Sequence, residues 1–225
     1  VPYEFLRYEK RDRIAFVTLN RPEVMNALHP PAGEELATVW DDVVADPDVW
    51  VAILTGSGDR AFSAGNDLKW TAANAETRWP KSGFGGLTAR TDLVKPLIAA
   101  VNGVALGGGL ELALACDIVI AADHATLGLP EPRVGLMAAA GGVHRLPRSI
   151  PLKIAMGMLL TGKSITAVEA ATLGLVNEVV PLADLLPTAE RWARTICECS
   201  PLSVQATKQC AYEGLGRPLA EAMSI

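Results

Sequence analysis

No unbroken apolar run in the sequence is long enough to cross a bilayer. The best candidate, residues 97–114, is interrupted by Asn102, four glycines and Glu111. A spanning helix needs about 20 consecutive apolar residues, so a membrane span is excluded. An excess of basic residues is missing as well: the formal net charge is -5 and the pI is near 5.3. That balance argues against nucleic acid as a main partner. The four cysteines, Cys116, Cys197, Cys199 and Cys210, form neither a CxxC pair nor a disulfide framework. A reducing, cytoplasmic compartment is therefore expected. Cys197 and Cys199 could join His124 around a metal, but side chains two apart on a helix diverge, and no metal site is expected. Charged residues from Glu4 to Arg11 stand where a signal peptide would need an apolar stretch, so none is expected. The pattern breaks off at residues 222–225, and further C-terminal residues are expected to follow it.

What is present is an ordinary globular composition, 225 residues of which 50% are hydrophobic, enough to bury one core. Two strands are expected at residues 3–9 and 14–20, joined by the charged turn Lys10-Arg11-Asp12-Arg13. Apolar runs at 50–55, 96–101, 117–122 and 175–180 read as further strands, and 31–45 and 110–115 as helices. Residues 70–86 lose periodicity and gain Asn74, Pro80 and three glycines, which reads as a mobile flap beside a ligand. Beyond Gly141 the pattern is mainly helical, with breaks at Pro147, Pro151, Gly162 and Gly174 and helices after Pro187 and Pro201. Strands alternating with helices and then a helical final third give an α/β class with a separate helical layer.

The chemistry concentrates at Gly107-Gly108-Gly109-Leu110-Glu111. Glycines at a strand-to-helix junction let a ligand oxygen reach backbone N–H groups at the positive end of a helix dipole. A triple glycine serves a tight turn equally well. No Lys-Ser/Thr follows for a Walker loop and no GxGxxG spacing is present, so nucleotide chemistry of those kinds is disfavoured. Glu111 stands in an otherwise apolar helix, and a buried acid needs a reason beyond the dipole. Twenty residues further on, Glu131 lies between Pro130 and Pro132, which fix its backbone. Each glutamate alone could be a structural or an exposed acid.

Taken in order, four stretches resemble the crotonase, or enoyl-CoA hydratase/isomerase, superfamily over nearly the whole chain. They are Ala61-Phe62-Ser63-Ala64-Gly65-Asn66-Asp67-Leu68, Lys95-Pro96-Leu97-Ile98-Ala99-Ala100-Val101-Asn102-Gly103, the glycine triplet through Leu112, and Leu173-Gly174-Leu175-Val176. The resemblance implies a crotonase-type ββα spiral core over residues 1–180 and a helical C-terminal oligomerisation region over 181–225. It implies an oxyanion hole from the backbone N–H groups of Asn66 and Gly108, and catalytic roles for Glu111 and Glu131.

By the same resemblance the activity is that of an enoyl-CoA hydratase, adding water reversibly across C2–C3 of a 2-enoyl-CoA thioester. Glu111 is expected to activate water and Glu131 to deliver a proton to C2. Coenzyme A is part of the substrate, no separate cofactor is implied, and the assembly is a homotrimer or dimer of trimers. Ala61, Ala64, Asp67, Leu68, Lys69 and Arg21 are the expected substrate and CoA contacts, with Arg60 a further phosphate candidate. Trp70, Trp79 and Phe84 either cover the acyl chain or pack the core. Two departures from the common pattern, Asn66 in place of alanine and Leu136-Met137-Ala138-Ala139-Ala140 in place of a Pro-Gly stretch, point to an altered acyl pocket. The alternatives are a carnitine-type crotonobetainyl-CoA hydratase, which Asn66-Asp67-Leu68-Lys69 and residues 83–88 resemble, an enoyl-CoA isomerase, or an acyl-CoA-binding subunit without turnover.

Overall fold

The structure is a computed structural model and describes residues 3–74 and 78–225. Strands β1 (Leu6–Arg11) and β2 (Ile14–Leu19) pair antiparallel, from Leu6 opposite Leu19 to Arg11 opposite Ile14. The turn is tighter than the expected four residues. Only Asp12 and Arg13 separate the strands, at φ 50° and 69°, the left-handed pair a two-residue hairpin demands. Lys10 and Arg11 therefore belong to β1.

From β2 onward the large sheet is parallel. β3 (Val51–Gly56), β5 (Leu97–Val101), β7 (Ile118–Ala122) and β10 (Glu178–Val180) complete the order β1-β2-β3-β5-β7-β10. β3 and β5 are buried at every position, as parallel strands are when both faces are covered. A smaller sheet, in the order β4-β6-β8-β9, is made from β4 (Ala61–Ser63), β6 (Val104–Leu106), β8 (Thr126–Gly128) and β9 (Ile165–Thr166). Each of β3, β5 and β7 hands the chain to a small-sheet strand and then to a helix: α2 (Leu68–Ala73), α3 (Gly108–Ala115) and, after a 3-10 turn, α4 (Gly142–Ser149). Three strand-strand-helix turns thus wind past one another. Their loops meet where α3 begins.

Helix α1 (Pro30–Ala45) buries Leu36, Val39, Trp40 and Val43, and the Trp40 indole N–H donates to Gly85 O at 3.1 Å. The remaining helices are α5 (Leu152–Thr161), α6 (Ala167–Thr172), α7 (Leu182–Cys197), α8 (Pro201–Gly214) and α9 (Leu219–Ala222). α7 packs across β3, β5 and β7 through Leu185, Ala189 and Ala193, whereas α8 and α9 bury no residue.

Several expectations are corrected. Residues 70–86 hold the end of α2 and a 3-10 turn, Phe84–Gly86, where no regular element was expected; positions 75–77 of that segment lie outside the described residues. Asp67 explains α2, because its side chain accepts the Trp70 N–H at 3.0 Å and caps the helix. Pro147 and Pro187 lie inside α4 and α7. Each forfeits one helix hydrogen bond, a loss that the buried faces around Leu146 and Leu185 outweigh. The strand expected over 175–180 is only β10, since Leu175 and Val176 are buried while leaving the turn at Gly174.

Candidate active site

Close backbone approach creates the centre of the site. Gly65, at φ 87°, lies so near the start of α3 that a Cβ there would stand 2.7 Å from Leu106 O and 2.8 Å from Gly108 N. Gly109 is tighter still, with a Cβ position 2.0 Å from Ser63 O. Any side chain at either position would push β4 and α3 apart. Because they touch, Asn66, next after Gly65, and Gly108, the first residue of α3, border the same space. Among the described residues neither N–H is assigned a protein acceptor. Two unspent donors beside a helix N-terminus suit an oxygen that gains negative charge.

Both donors line a cavity of about 830 Å³ together with Ala64, Leu68, Glu111 and Glu131. Glu111 is 3% exposed, in the first turn of α3, and its Oε1 accepts the Gly142 N–H at 2.8 Å. Burial pushes its carboxyl up to about 7; the Gly142 N–H opposes the rise, and the nearby Glu131 charge adds to it. Glu131 opens the 3-10 turn Glu131–Val134. Its Oε1 stands 2.9 Å from the position of a Gly107 Cβ, and its Oε2 is buried with no hydrogen-bond partner among the described residues. Burial raises its pKa too, against the pull of its own backbone N–H. A buried carboxyl oxygen without a donor favours the protonated acid, whereas one held by N–H groups favours the anion.

The other expected contacts are placed differently. Ala61 is buried in β4 and Lys69 is exposed on α2. Arg21 donates through Nη1 to Ala27 O at 2.6 Å and to Asp67 Oδ2 at 3.0 Å, so this pair braces the loop before α2. None of Ala61, Asp67, Lys69 and Arg21 lines the cavity. Trp79 and Phe84 do line it, with ring centroids 4.5 Å apart, while Trp70 packs edge-on against His29. Sequence reasoning missed Gly142, which holds Glu111, and Arg145, which lines the same wall. The pair Gly141-Gly142 ahead of a helix was the available signal, the same signal that drew attention to Gly107-Gly108-Gly109.

Among the described residues no group of three or more His, Cys, Asp or Glu side chains could hold a metal, and no helix is long and apolar enough to cross a membrane. All four cysteines are free.

The profile of the family described as enoyl-CoA hydratase/isomerase matches residues 9–225. An (E)-benzylidenesuccinyl-CoA hydratase of Thauera aromatica is 45% identical, over 94% of this chain and 83% of that protein. A carnitinyl-CoA dehydratase of Salmonella arizonae is 43% identical, over 92% of this chain and 79% of its own length. Among solved structures, an enoyl-CoA hydratase from Mycobacterium tuberculosis H37Rv superimposes with a TM-score of 0.93 at 41% identity, covering 98% of this chain and 86% of that one.

Proposed function

The chain belongs to the enoyl-CoA hydratase/isomerase, or crotonase, family and has its ββα-spiral fold, and from that premise we propose a hydro-lyase of the carnitinyl-CoA dehydratase type. It is an enzyme of hydratase type, and its chemistry is that of the family, on an acyl-CoA thioester. The finer reading is reversible addition of water across C2–C3 of a 2-enoyl-CoA whose acyl group carries a polar substituent, crotonobetainyl-CoA being the first candidate. The observation that carries it is the pair of buried glutamates sharing one cavity with two unspent backbone donors. An isomerase needs one acid, and a binding subunit needs neither.

In this reading the thioester oxygen accepts the N–H groups of Asn66 and Gly108. Attack of water at C3 moves electrons onto that oxygen, where the two donors stabilise the enolate. Glu111, whose ionised form accepts the Gly142 N–H, takes the proton of the attacking water. Glu131, with one oxygen unpaired, gives its proton to C2. Together the two acids carry one proton and titrate as a pair. Coenzyme A is part of the substrate. Leu68 and Ala64 support the acyl end, while Ala61, Asp67, Lys69 and Arg21 remain the proposed CoA side, with Arg21 and Asp67 acting through the loop they brace.

The relatives named for substituted thioesters favour the carnitine-type branch over a general fatty-acid hydratase. Assembly as a trimer or dimer of trimers is supported by α8 and α9, which leave Leu202, Leu219 and Met223 at least 77% exposed. The free cysteines suit a reducing cytoplasm. Turnover of crotonobetainyl-CoA, crotonyl-CoA and a 3-enoyl-CoA, followed by the conjugated-thioester absorbance, tests the proposal. Hydration with preference for crotonobetainyl-CoA supports it. Isomerisation of the 3-enoyl thioester alone, or no turnover of any, contradicts it.

A further inference from the structure

The cavity also holds a guanidinium that neither the water chemistry nor the thioester cradle uses. Arg145 lies one turn into α4, and its Nη2 donates to Thr88 O at 2.9 Å. Thr88 is buried, and its Oγ1 accepts the Phe84 N–H at 3.0 Å. The Phe84 ring in turn covers the backbone of Gly108, where a Cβ would stand 2.5 Å from two ring carbons. At the other end of the same helical turn, the Gly142 N–H holds Glu111. Contacts therefore run from one face of Gly108 through Phe84, Thr88 and Arg145 to the carboxylate of Glu111.

Arg145 forms no ion pair with a described carboxylate. It also lines a second cavity of about 360 Å³, walled by Asp117 and by Lys208 and Tyr212 of α8, and no other described residue lines both. Its position between two cavities, with a charge that no carboxylate takes up, suits an anchor acting on its surroundings.

Resting on the hydro-lyase reading, we propose that Arg145 is a positioning residue for the hydration step: it ties the Phe84–Thr88 wall to the first turn of α4, so that the face over Gly108 and the carboxylate of Glu111 share one anchor. The charged or titratable side chains lining the cavity with Glu111 are Glu131, His144, Arg145 and Arg148. Burial is the largest influence on Glu111, and the charge of Arg145, which favours its ionisation, is a smaller one. Removing that charge raises the Glu111 pKa further. Because Glu111 must be ionised to accept the water proton, the acid limb of the rate profile then moves to higher pH.

Three variants, R145Q, R145K and T88V, separate the two parts of this role. Each is measured for the pH profile of kcat/KM with the enoyl-CoA that wild type hydrates fastest, and for the absorbance of a bound donor-substituted cinnamoyl-CoA. R145Q is expected to lose about 10- to 100-fold in kcat, with KM within about threefold, and to shift the acid limb upward. R145K restores the limb to its wild-type position. T88V keeps the charge, so its limb stays while kcat falls about 3- to 10-fold and the red shift of the bound thioester shrinks.

Wild-type kcat and limb in R145Q would overturn the proposal. So would equal losses in R145Q and R145K with an unmoved limb, which is what a merely structural arginine gives. Should R145Q fail to fold, R145M, which keeps an unbranched stem without the charge or the donor to Thr88 O, takes its place, and wild-type kcat and limb in R145M overturn the proposal. Failure of wild type to hydrate any thioester sinks the hydro-lyase reading rather than the anchor, because the red shift of the bound thioester, compared between wild type and R145Q, still reports the wall over Gly108.

Discussion

The wall that carries Asn66, Gly108 and Glu111 is backbone pressed against backbone, whereas the wall that carries Leu68, Leu136 and Met137 is side chain standing in solvent. On the first, a Cβ at Gly109 would meet Ser63 O at 2.0 Å. On the second, Leu136 is 53% and Met137 64% exposed. A packed backbone tolerates no added atom and so preserves one geometry, which is what placing donors at a developing charge requires. An exposed wall can change its side chains without moving the donors. Under the proposed function, the chemistry of the reaction resides in the first wall and the fit of the acyl group in the second.

The largest effects are expected where the first wall is altered chemically. Glu111→Gln and Glu131→Gln should each lower kcat by about 100-fold or more, with little change in ligand affinity. The double variant should be scarcely worse than either single one, because both acids serve one water. Steady-state kinetics on the three proteins check this. Additive losses in the double variant would break the picture of a shared proton.

Next in size is a stability effect of opposite direction. The folded pKa of Glu111, about 7, lies above its ordinary value of 4.5. The folded state therefore binds more protons than the unfolded chain between those values, and the wild type loses stability as pH rises through that window. Glu111→Gln carries no such penalty and can still accept the Gly142 N–H. It should be more stable than wild type at pH 8 by up to about 3 kcal/mol, with the difference shrinking toward pH 4. Thermal unfolding of both proteins across that range would read it, and a constant difference in Tm would contradict a raised Glu111.

The smallest catalytic effect is expected at the exposed wall. Met137→Ala removes a side chain that no backbone depends on, so crotonyl-CoA turnover should change by less than about 10-fold while the ranking of substituted thioesters shifts. A loss as large as that of the glutamate variants would erase the distinction between the walls.

The same contrast explains what the sequence made legible. Gly107-Gly108-Gly109 and Glu111 stood out because close approach and buried charge constrain residue type, the family resemblance added Asn66 and the role of Glu131, and Asn66, Gly107, Gly108, Glu111 and Glu131 all line one cavity. β3, β5 and β7 were readable from apolar runs. α2 was not, because its cap, Asp67, was read as a ligand contact. α7 was misjudged because Pro187 looked like a start, when Leu185, Ala189 and Ala193 buried on the sheet decide where the helix lies. The contact of Arg145 with Thr88 was invisible, since a side chain reaching a carbonyl 57 residues away leaves no local pattern.

The central claim, that the thioester oxygen lies against the N–H groups of Asn66 and Gly108, is tested most directly by comparing Gly108→Pro with Gly108→Ala. Gly108 is the first residue of α3, a position where proline is well tolerated. Both variants set a Cβ against the Phe84 ring, but only proline deletes the N–H. Loss of one such donor costs roughly 10²–10³ in kcat. With a donor-substituted cinnamoyl-CoA bound, the red-shifted absorbance of the polarised carbonyl should shrink in Gly108→Ala, whose Cβ displaces the Phe84 ring, and collapse in Gly108→Pro, which also lacks the N–H. Equal shifts in the two variants, with equal kcat, would mean that the oxygen lies elsewhere.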